Sequence, residues 1–295
     1  MNTTAGRNIS HRNGVIMDKK VALVTGASSG IGEATAERLA KAGFTVYGTS
    51  RRGAAGDRKS YNMIALDVTN DASVDAAVDE VIGNEGRIDV LVNNAGFSVA
   101  PAGDEESSID QARAVFDTNF FGLVRMTRAV VPHMRRQGSG RIINIGSVLG
   151  FLPAPFMAIY AATKHAVEGY SESLDHELRT RGIHVSVVEP AYTKTNFDAN
   201  LLAADAMLDD YSATRAGLKE RMAQLIAAGD EPTVVAEVVL QAATAANPKI
   251  RYTAGGLAGR LQLLRRYAPA SLVDAGVRKD LRLDTKTTPL ARAAS

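Results

Sequence analysis

The chain has 295 residues, 45% of them hydrophobic and 22% charged, with a net charge of +2 and no cysteine. These values exclude a globally disordered chain, a disulfide framework, thiolate metal sites and a cysteine nucleophile, and they argue against a dedicated nucleic-acid binder. No apolar run reaches the length of a membrane span, so no integral membrane contact is expected. A cysteine-free chain without a signal peptide is expected in the cytoplasm.

Residues 1–17 carry no hydrophobic periodicity and read as a disordered tail, with Met17 an alternative start. From Lys20 apolar runs and helical stretches alternate. Lys20–Thr25 (KVALVT) is too short for a helix and rich in valine, hence a buried strand. Gly30–Ala42 has helical periodicity and stops at Gly43. Strands are predicted at Phe44–Thr49, Asn62–Leu66 and Ile88–Val92, and a helix over Ala72–Ile82 that Gly83 would stop. A long helix, Ser108–Met134, precedes a strand at Arg141–Ile145. Ile159–Thr180 is a helix stopped by Gly182, followed by a strand at Ile183–Val188. Thr233–Ala245 is a helix and Ile250–Thr253 a seventh strand. This alternation implies right-handed βαβ units and a parallel sheet covered on both faces. The predicted fold class is α/β: one doubly wound domain over residues 18–255 with a seven-stranded parallel sheet, followed by a helical extension.

Two regions stand outside that repeat. Residues 192–229 form a long insertion carrying Phe197, Leu201, Leu202, Met207, Leu208 and Tyr211. Residues 256–295 form a basic extension. From Lys249 onward ten Lys/Arg face three acids, so this end carries +7 and the rest −5. It reads either as a solvated or oligomer-facing helix pair or as a patch for an acidic substrate group. Its apolar residues at helical spacing (Leu257, Leu261, Leu264, then Leu272, Val273, Val277) need a surface to cover, on the insertion or on a partner subunit.

Strand one runs directly into Thr25-Gly-Ala-Ser-Ser-Gly-Ile-Gly32 and a helix. In such a turn Gly26 permits the tight bend, Gly30 lets backbone approach a pyrophosphate, and Gly32 permits close helix–strand packing. The helix N-terminus offers unpaired N–H groups and a positive dipole end to an anion. Farther on, Ser147 lies just past strand five, where open α/β sheets hold their ligands. Tyr160 and Lys164, four apart, share one helix face. A phenol with a pKa near ~10 is a poor base at neutral pH. A cation about 4 Å away at an effective dielectric of ~20 stabilises the phenolate by roughly 4 kcal/mol, while burial opposes it. The five histidines show no metal-ligand spacing, and no metal is implied.

These motifs, in this order and spacing, resemble the short-chain dehydrogenase/reductase family, over about residues 18–255. Thr25–Gly32 matches its cofactor turn, with Ser28, Ser29 and Ile31 inside it. Asn93-Asn-Ala-Gly96 matches its signature after strand four, and Asn119, Ser147, Tyr160 and Lys164 match its catalytic tetrad. The resemblance implies a Rossmann domain and hydride transfer between a nicotinamide cofactor and a carbonyl or alcohol. It assigns Ser147 to the substrate oxygen, Tyr160 to the proton, and Lys164 to the tyrosine and the nicotinamide ribose. Asn119 would support a water relay to Lys164, or be a capping or kink asparagine. Asn94, Ala95 and Gly96 would border the adenosine ribose. Asp67 and Val68 would border the adenine, Asp67 being otherwise a strand-end acid. Pro190, Ala191, Thr193 and Thr195 would reach the nicotinamide end, with Ala191 replacing the family's usual glycine. Thr195 could instead be a helix N-cap.

At the end of strand two the sequence is Gly48-Thr-Ser-Arg-Arg52, and no acid occurs before Asp57. An acid there would select NAD; Arg51 and Arg52 suit a 2′-phosphate, so NADP(H) is expected. The apolar stretches after strand four (Phe97, Val99), between Ser147 and Tyr160, and in the insertion favour a hydrophobic ketone or secondary alcohol. Hydroxysteroid, retinol or carbonyl-reductase-like substrates fit that wall. Alternatives are a 3-oxoacyl-thioester reductase and a non-catalytic nicotinamide-binding protein. Family members commonly pair through the two long helices flanking strand five. Here Ala161, Ala162, Ala166 and Gly169 allow close approach, so a homodimer or homotetramer is expected.

Overall fold

The structure, a computed structural model, describes residues 19–53, 59–195 and 201–283. The predicted tail over 1–17, Asp57, Phe197 and the end of the extension from 284 lie outside the described residues. The strands are β1 (Val21–Val24), β2 (Thr45–Ser50), β3 (Asn62–Ala65), β4 (Val90–Asn93), β5 (Gly140–Ile145), β6 (Ile183–Pro190) and β7 (Arg251–Ala254). The helices are α1 (Gly30–Lys41), α2 (Asp71–Glu85), α3 (Ile109–Phe116), α4 (Gly122–Gln137), α5 (Ala158–Leu178), α6 (Ser212–Ala227), α7 (Pro232–Thr244), α8 (Gly256–Tyr267) and α9 (Ala270–Asp280).

All seven strands are parallel, in the order β3-β2-β1-β4-β5-β6-β7. The central strands β1 and β4 are buried along their whole length because each side meets a helical layer. Ala22 and Val24 enter a core shared with Ala36 and Leu39 of α1 and Val235 and Val239 of α7. Val21 and Leu23 enter the opposite core, shared with Val74 and Val81 of α2 and Met126 and Val130 of α4. Burying each of the Val, Leu and Met side chains among these contributes about 1.5–3 kcal/mol. The chain order reverses between β1 and β4, so a crevice opens beyond their C-terminal ends, the usual ligand position of an open α/β sheet.

Two predicted helices differ in the structure. Gly83 does not stop α2, which continues to Glu85 and ends at Gly86 with a left-handed φ of 71°. Gly83 faces open space, and the buried face of Val74, Val78 and Val81 holds the helix through it. The expected Ser108–Met134 helix is instead α3, a π-helical turn at Asp117–Phe121, and α4 running on to Gln137. The π turn has one residue more than an α turn can hold, a feature common at functional sites, and it buries Asn119.

Candidate active site

The crevice is built from backbone first. Gly26 (φ 67°) and Gly30 (φ 59°) adopt left-handed conformations that side chains disfavour. A Cβ on Gly32 would stand 2.2 Å from the Gly26 carbonyl oxygen and 2.5 Å from Asn94 Nδ2. Asn94 explains that closeness: its amide donates to the carbonyls of Thr25 (2.9 Å) and Gly26 (3.1 Å), tying the turn to the end of β4. The Thr25 hydroxyl accepts the N–H groups of Asn94 (2.9 Å) and Ala95 (3.0 Å) from the other side. A Cβ on Gly96 would meet Asn119 Oδ1 at 3.0 Å. Ser28 and Ser29 are exposed, and Ser29, at the N-cap of α1, makes no side-chain cap. The first N–H groups of α1 therefore face the crevice beside Ile31, and a Cβ on Gly30 would touch Thr195 at 3.3 Å. This glycine cradle fits a pyrophosphate on geometry alone.

Around it stand the other predicted contacts. Arg51 and Arg52 are exposed in the turn after β2. Asp67 takes the N–H (2.9 Å) and hydroxyl (2.7 Å) of Thr69, which hold its carboxyl below the usual range, with Arg51 adding to the effect. Val68 is buried against Gly122 of α4. Beyond β6, Pro190 is buried, Thr193 Oγ1 donates to the Ala191 carbonyl at 3.2 Å, and the segment pairs with Asp230 through Thr193.

Ser147 follows β5, is buried, and accepts the Leu149 N–H at 3.1 Å. Lys164 is buried and donates to the Ile145 carbonyl at 2.8 Å. Its ammonium lies 5.6 Å from the centre of the Tyr160 ring. Burial pushes the Lys164 ammonium down to about 8, partly opposed by Glu168. Burial also pushes the Tyr160 phenol up. The lowering expected from Lys164 is not seen: desolvation, which penalises the phenolate, sets the direction. Asn119 accepts the Phe97 N–H (2.9 Å) and donates to its carbonyl (2.9 Å) and to Thr163 Oγ1 (3.3 Å), joining β4 to α5 beside Lys164. A small cavity lies between Thr118, Asn119, Ile145 and Lys164.

Several contributors escaped the sequence reading. Tyr61 donates to the Ala27 carbonyl at 2.7 Å and packs where a Cβ on Gly48 would clash, bracing the glycine turn. Glu106, fully buried, accepts the N–H groups of Gly103 (2.6 Å) and Leu208 (2.8 Å) and pairs with Arg215 of α6. Burial raises its pKa, but those N–H groups and Arg215 hold it below the usual range. Behind Ser147, Glu168 and Glu189 converge on Arg251, and Gln262 donates to Glu189 at 3.1 Å. Burial, then Glu168, pushes Glu189 up to about 8. A single Glu or Tyr whose partners lie far along the chain carries no sequence signal of burial, so none of these was legible. On the substrate side a second cavity is lined by Val99, Ala102, Phe156, Ile159 and Tyr160. Phe156 has a left-handed φ of 63°, is fixed by its carbonyl accepting Ala102 N–H at 3.0 Å, and meets Tyr211 edge-on at 5.8 Å.

Comparison with known proteins gives the same picture. The family model described as short chain dehydrogenase matches residues 20–206. A curated relative, 3-ketodihydrosphingosine reductase of Bacteroides thetaiotaomicron, is 44% identical over 184 residues, 62% of this chain and 68% of its own. A solved short-chain dehydrogenase of Streptomyces avermitilis superposes with a TM-score of 0.75 at 34% identity, covering 91% of this chain and 99% of its own. Two further solved structures cover 79% of this chain with TM-scores of 0.67. They are serine dehydrogenase complexed with NADP+ (30% identical, 93% of its own chain) and a 3-ketoacyl-(acyl-carrier-protein) reductase of Brucella melitensis with NADH (28% identical, 96% of its own chain). A match that spans the glycine turn, the Asn94 clasp and the Ser147–Tyr160–Lys164 cluster in one stretch of chain leaves one assignment: this protein is an oxidoreductase of the short-chain dehydrogenase/reductase family.

Proposed function

We propose that the chain interconverts a hydrophobic ketone and its secondary alcohol using NADP(H). The observation that carries this is Lys164 beside the Tyr160 ring, anchored on the Ile145 carbonyl two residues before Ser147, with Tyr160 lining a cavity next to Val99, Phe156 and Ile159. Gly26–Gly32 would seat the pyrophosphate, Asp67 and Val68 the adenine, Asn94–Gly96 the adenosine ribose, and Pro190–Thr195 the nicotinamide end. When bound, the reduced cofactor supplies the hydride. The Ser147 hydroxyl donates to the substrate oxygen and fixes it. Tyr160, which burial keeps protonated through neutral pH, delivers its proton to that oxygen. Lys164, anchored on the Ile145 carbonyl, stabilises the phenolate left behind and holds the nicotinamide ribose. Asn119 positions Phe97 and Thr163 around them.

Arg51 and Arg52, exposed where an NAD-selecting acid would stand, favour the 2′-phosphate. The cavity lining of Val99, Phe156 and Ile159, with a relative named for a long-chain keto lipid, favours an extended aliphatic ketone. The exposed small residues Ala162 and Gly169 on α5 leave room for a second copy, so the working form is read as a homo-oligomer. The test is oxidation of NADPH and of NADH against a panel of long-chain, steroid and aryl ketones and a 3-oxoacyl thioester. Turnover of the long-chain ketones with NADPH supports the reading. Preference for the thioester reassigns the substrate, and NADPH binding without any turnover leaves only a nicotinamide-binding protein.

A further inference from the structure

Ten large apolar side chains are exposed among the described residues, and five of them (Leu257, Leu263, Leu264, Tyr267 and Leu272) fall in one short stretch over α8 and the start of α9. They are not scattered around the helix. At 3.6 residues per turn, Arg260, Leu263, Leu264 and Tyr267 stand at i, i+3, i+4 and i+7 and share one outward face. The opposite face carries Ala258 and Leu261, which pack with Val148, Leu152 and Val273 over the loop after Ser147. The inward side of α8 is therefore satisfied, and the outward side is a separate surface. Tyr267 is 73% exposed, Leu272 61% and Leu263 59%, so these side chains project from the protein surface.

The charge around this face is one-signed. Residues 256–283 carry six Lys/Arg against two Asp, a net +4. One of those acids, Asp280, is engaged by Arg221 of α6, which also ties α9 to the insertion. Arg260, on the outward face, and Arg266, flanking it, are exposed, and the Arg266 guanidinium lies 5.6 Å from the Tyr267 ring centre. A two-fold contact between copies would set this cationic patch against itself, so a second copy is a poor occupant. Projecting leucines and a tyrosine interleaved with arginines match the interface of an anionic bilayer. Apolar tips enter the headgroup boundary there, and guanidinium groups bond phosphates.

We propose that the outward face of α8 and the α8–α9 corner docks the protein peripherally on anionic lipid surfaces. Because α8 and α9 roof the loop after Ser147 and α9 is tied to α6, docking holds the substrate side of the site near the bilayer. This last consequence rests on the hydrophobic-ketone reading; the docking does not.

The test is co-sedimentation of the full chain with vesicles of neutral phosphatidylcholine and with the same vesicles containing phosphatidylglycerol, read without turnover. Binding to the anionic vesicles only, lost as ionic strength rises from about 0.1 M to about 1 M, is the expected result. Arg260→Gln with Arg266→Gln should weaken partition roughly thirtyfold, since each cation near such a surface contributes about 1 kcal/mol. Leu263→Gln with Leu264→Gln should weaken it while leaving the circular dichroism spectrum unchanged, because both side chains are exposed. Failure of the wild-type chain to bind anionic vesicles overturns the proposal. Equal binding by the arginine variant also overturns it. If Leu264→Asp lowers the mass measured by light scattering, the face belongs to a contact between copies, which likewise overturns it. None of these readouts depends on reductase activity, so an inactive but vesicle-bound chain would sink the functional reading alone.

Discussion

The cofactor half and the substrate half of the crevice are held by different physics. On the cofactor side the shape is made by backbone: Gly26 and Gly30 in left-handed conformations, Gly32 without room for a side chain, and Asn94 clasping the turn through main-chain carbonyls. On the substrate side it is made by long-range side-chain pairs. Glu106, fully buried, staples residues 208 and 215 to the loop after β4, and Tyr211 packs on Phe156 and Gly103. The first arrangement rests on the main chain of one turn, which Asn94 clasps from 68 and 69 residues away, and it tolerates little variation. The second joins positions about a hundred residues apart and can be rebuilt around a different ligand without disturbing the first.

The strongest way to break this comparison is Glu106→Ala. It leaves Arg215, 15% exposed, without its partner, and breaking a buried pair costs about 3–5 kcal/mol. Denaturant unfolding should show that loss, and substrate KM should rise while NADPH affinity stays. Equal loss of both affinities would mean the halves are not independent. Tyr160→Phe should cost at least about a hundredfold in turnover, with NADPH binding, measured by fluorescence, largely retained; a Phe variant with wild-type turnover would remove Tyr160 from the chemistry. Arg51→Ala with Arg52→Ala should lower NADPH affinity roughly tenfold to a hundredfold, on the worth of a charge-assisted bond, and move NADH little. If both cofactors shift together, the arginines do not read the 2′-phosphate.

The smallest effect concerns the acids behind Ser147. With its pKa at about 8 in the folded protein, above the ordinary carboxylate value, Glu189 holds a proton that the unfolded chain gives up. Its contribution is complete below the ordinary carboxylate pKa, declines as pH rises through neutrality, and is lost above about 8. Melting temperature should therefore fall across that window, and Glu189→Gln, which cannot ionise, should flatten the slope. An unchanged slope would place the titration elsewhere.

The sequence by itself determined the parallel α/β sheet, because buried parallel strands must be short apolar runs and the helices between them must be amphipathic. It determined the glycine turn, and the placing of Tyr160 and Lys164 on one helix, for the same reason: each depends on spacing within one turn or helix. Tertiary structure decided what depends on distant partners. Gly83 stayed helical because a packed face outweighed its propensity, and the π turn buried Asn119 between Phe97 and Thr163. The Tyr160 phenol was pushed up because the fold desolvates it. Glu106, Glu168 and Glu189 look like ordinary surface acids in the chain; only the fold removes them from water, and only then do their charges shape the site.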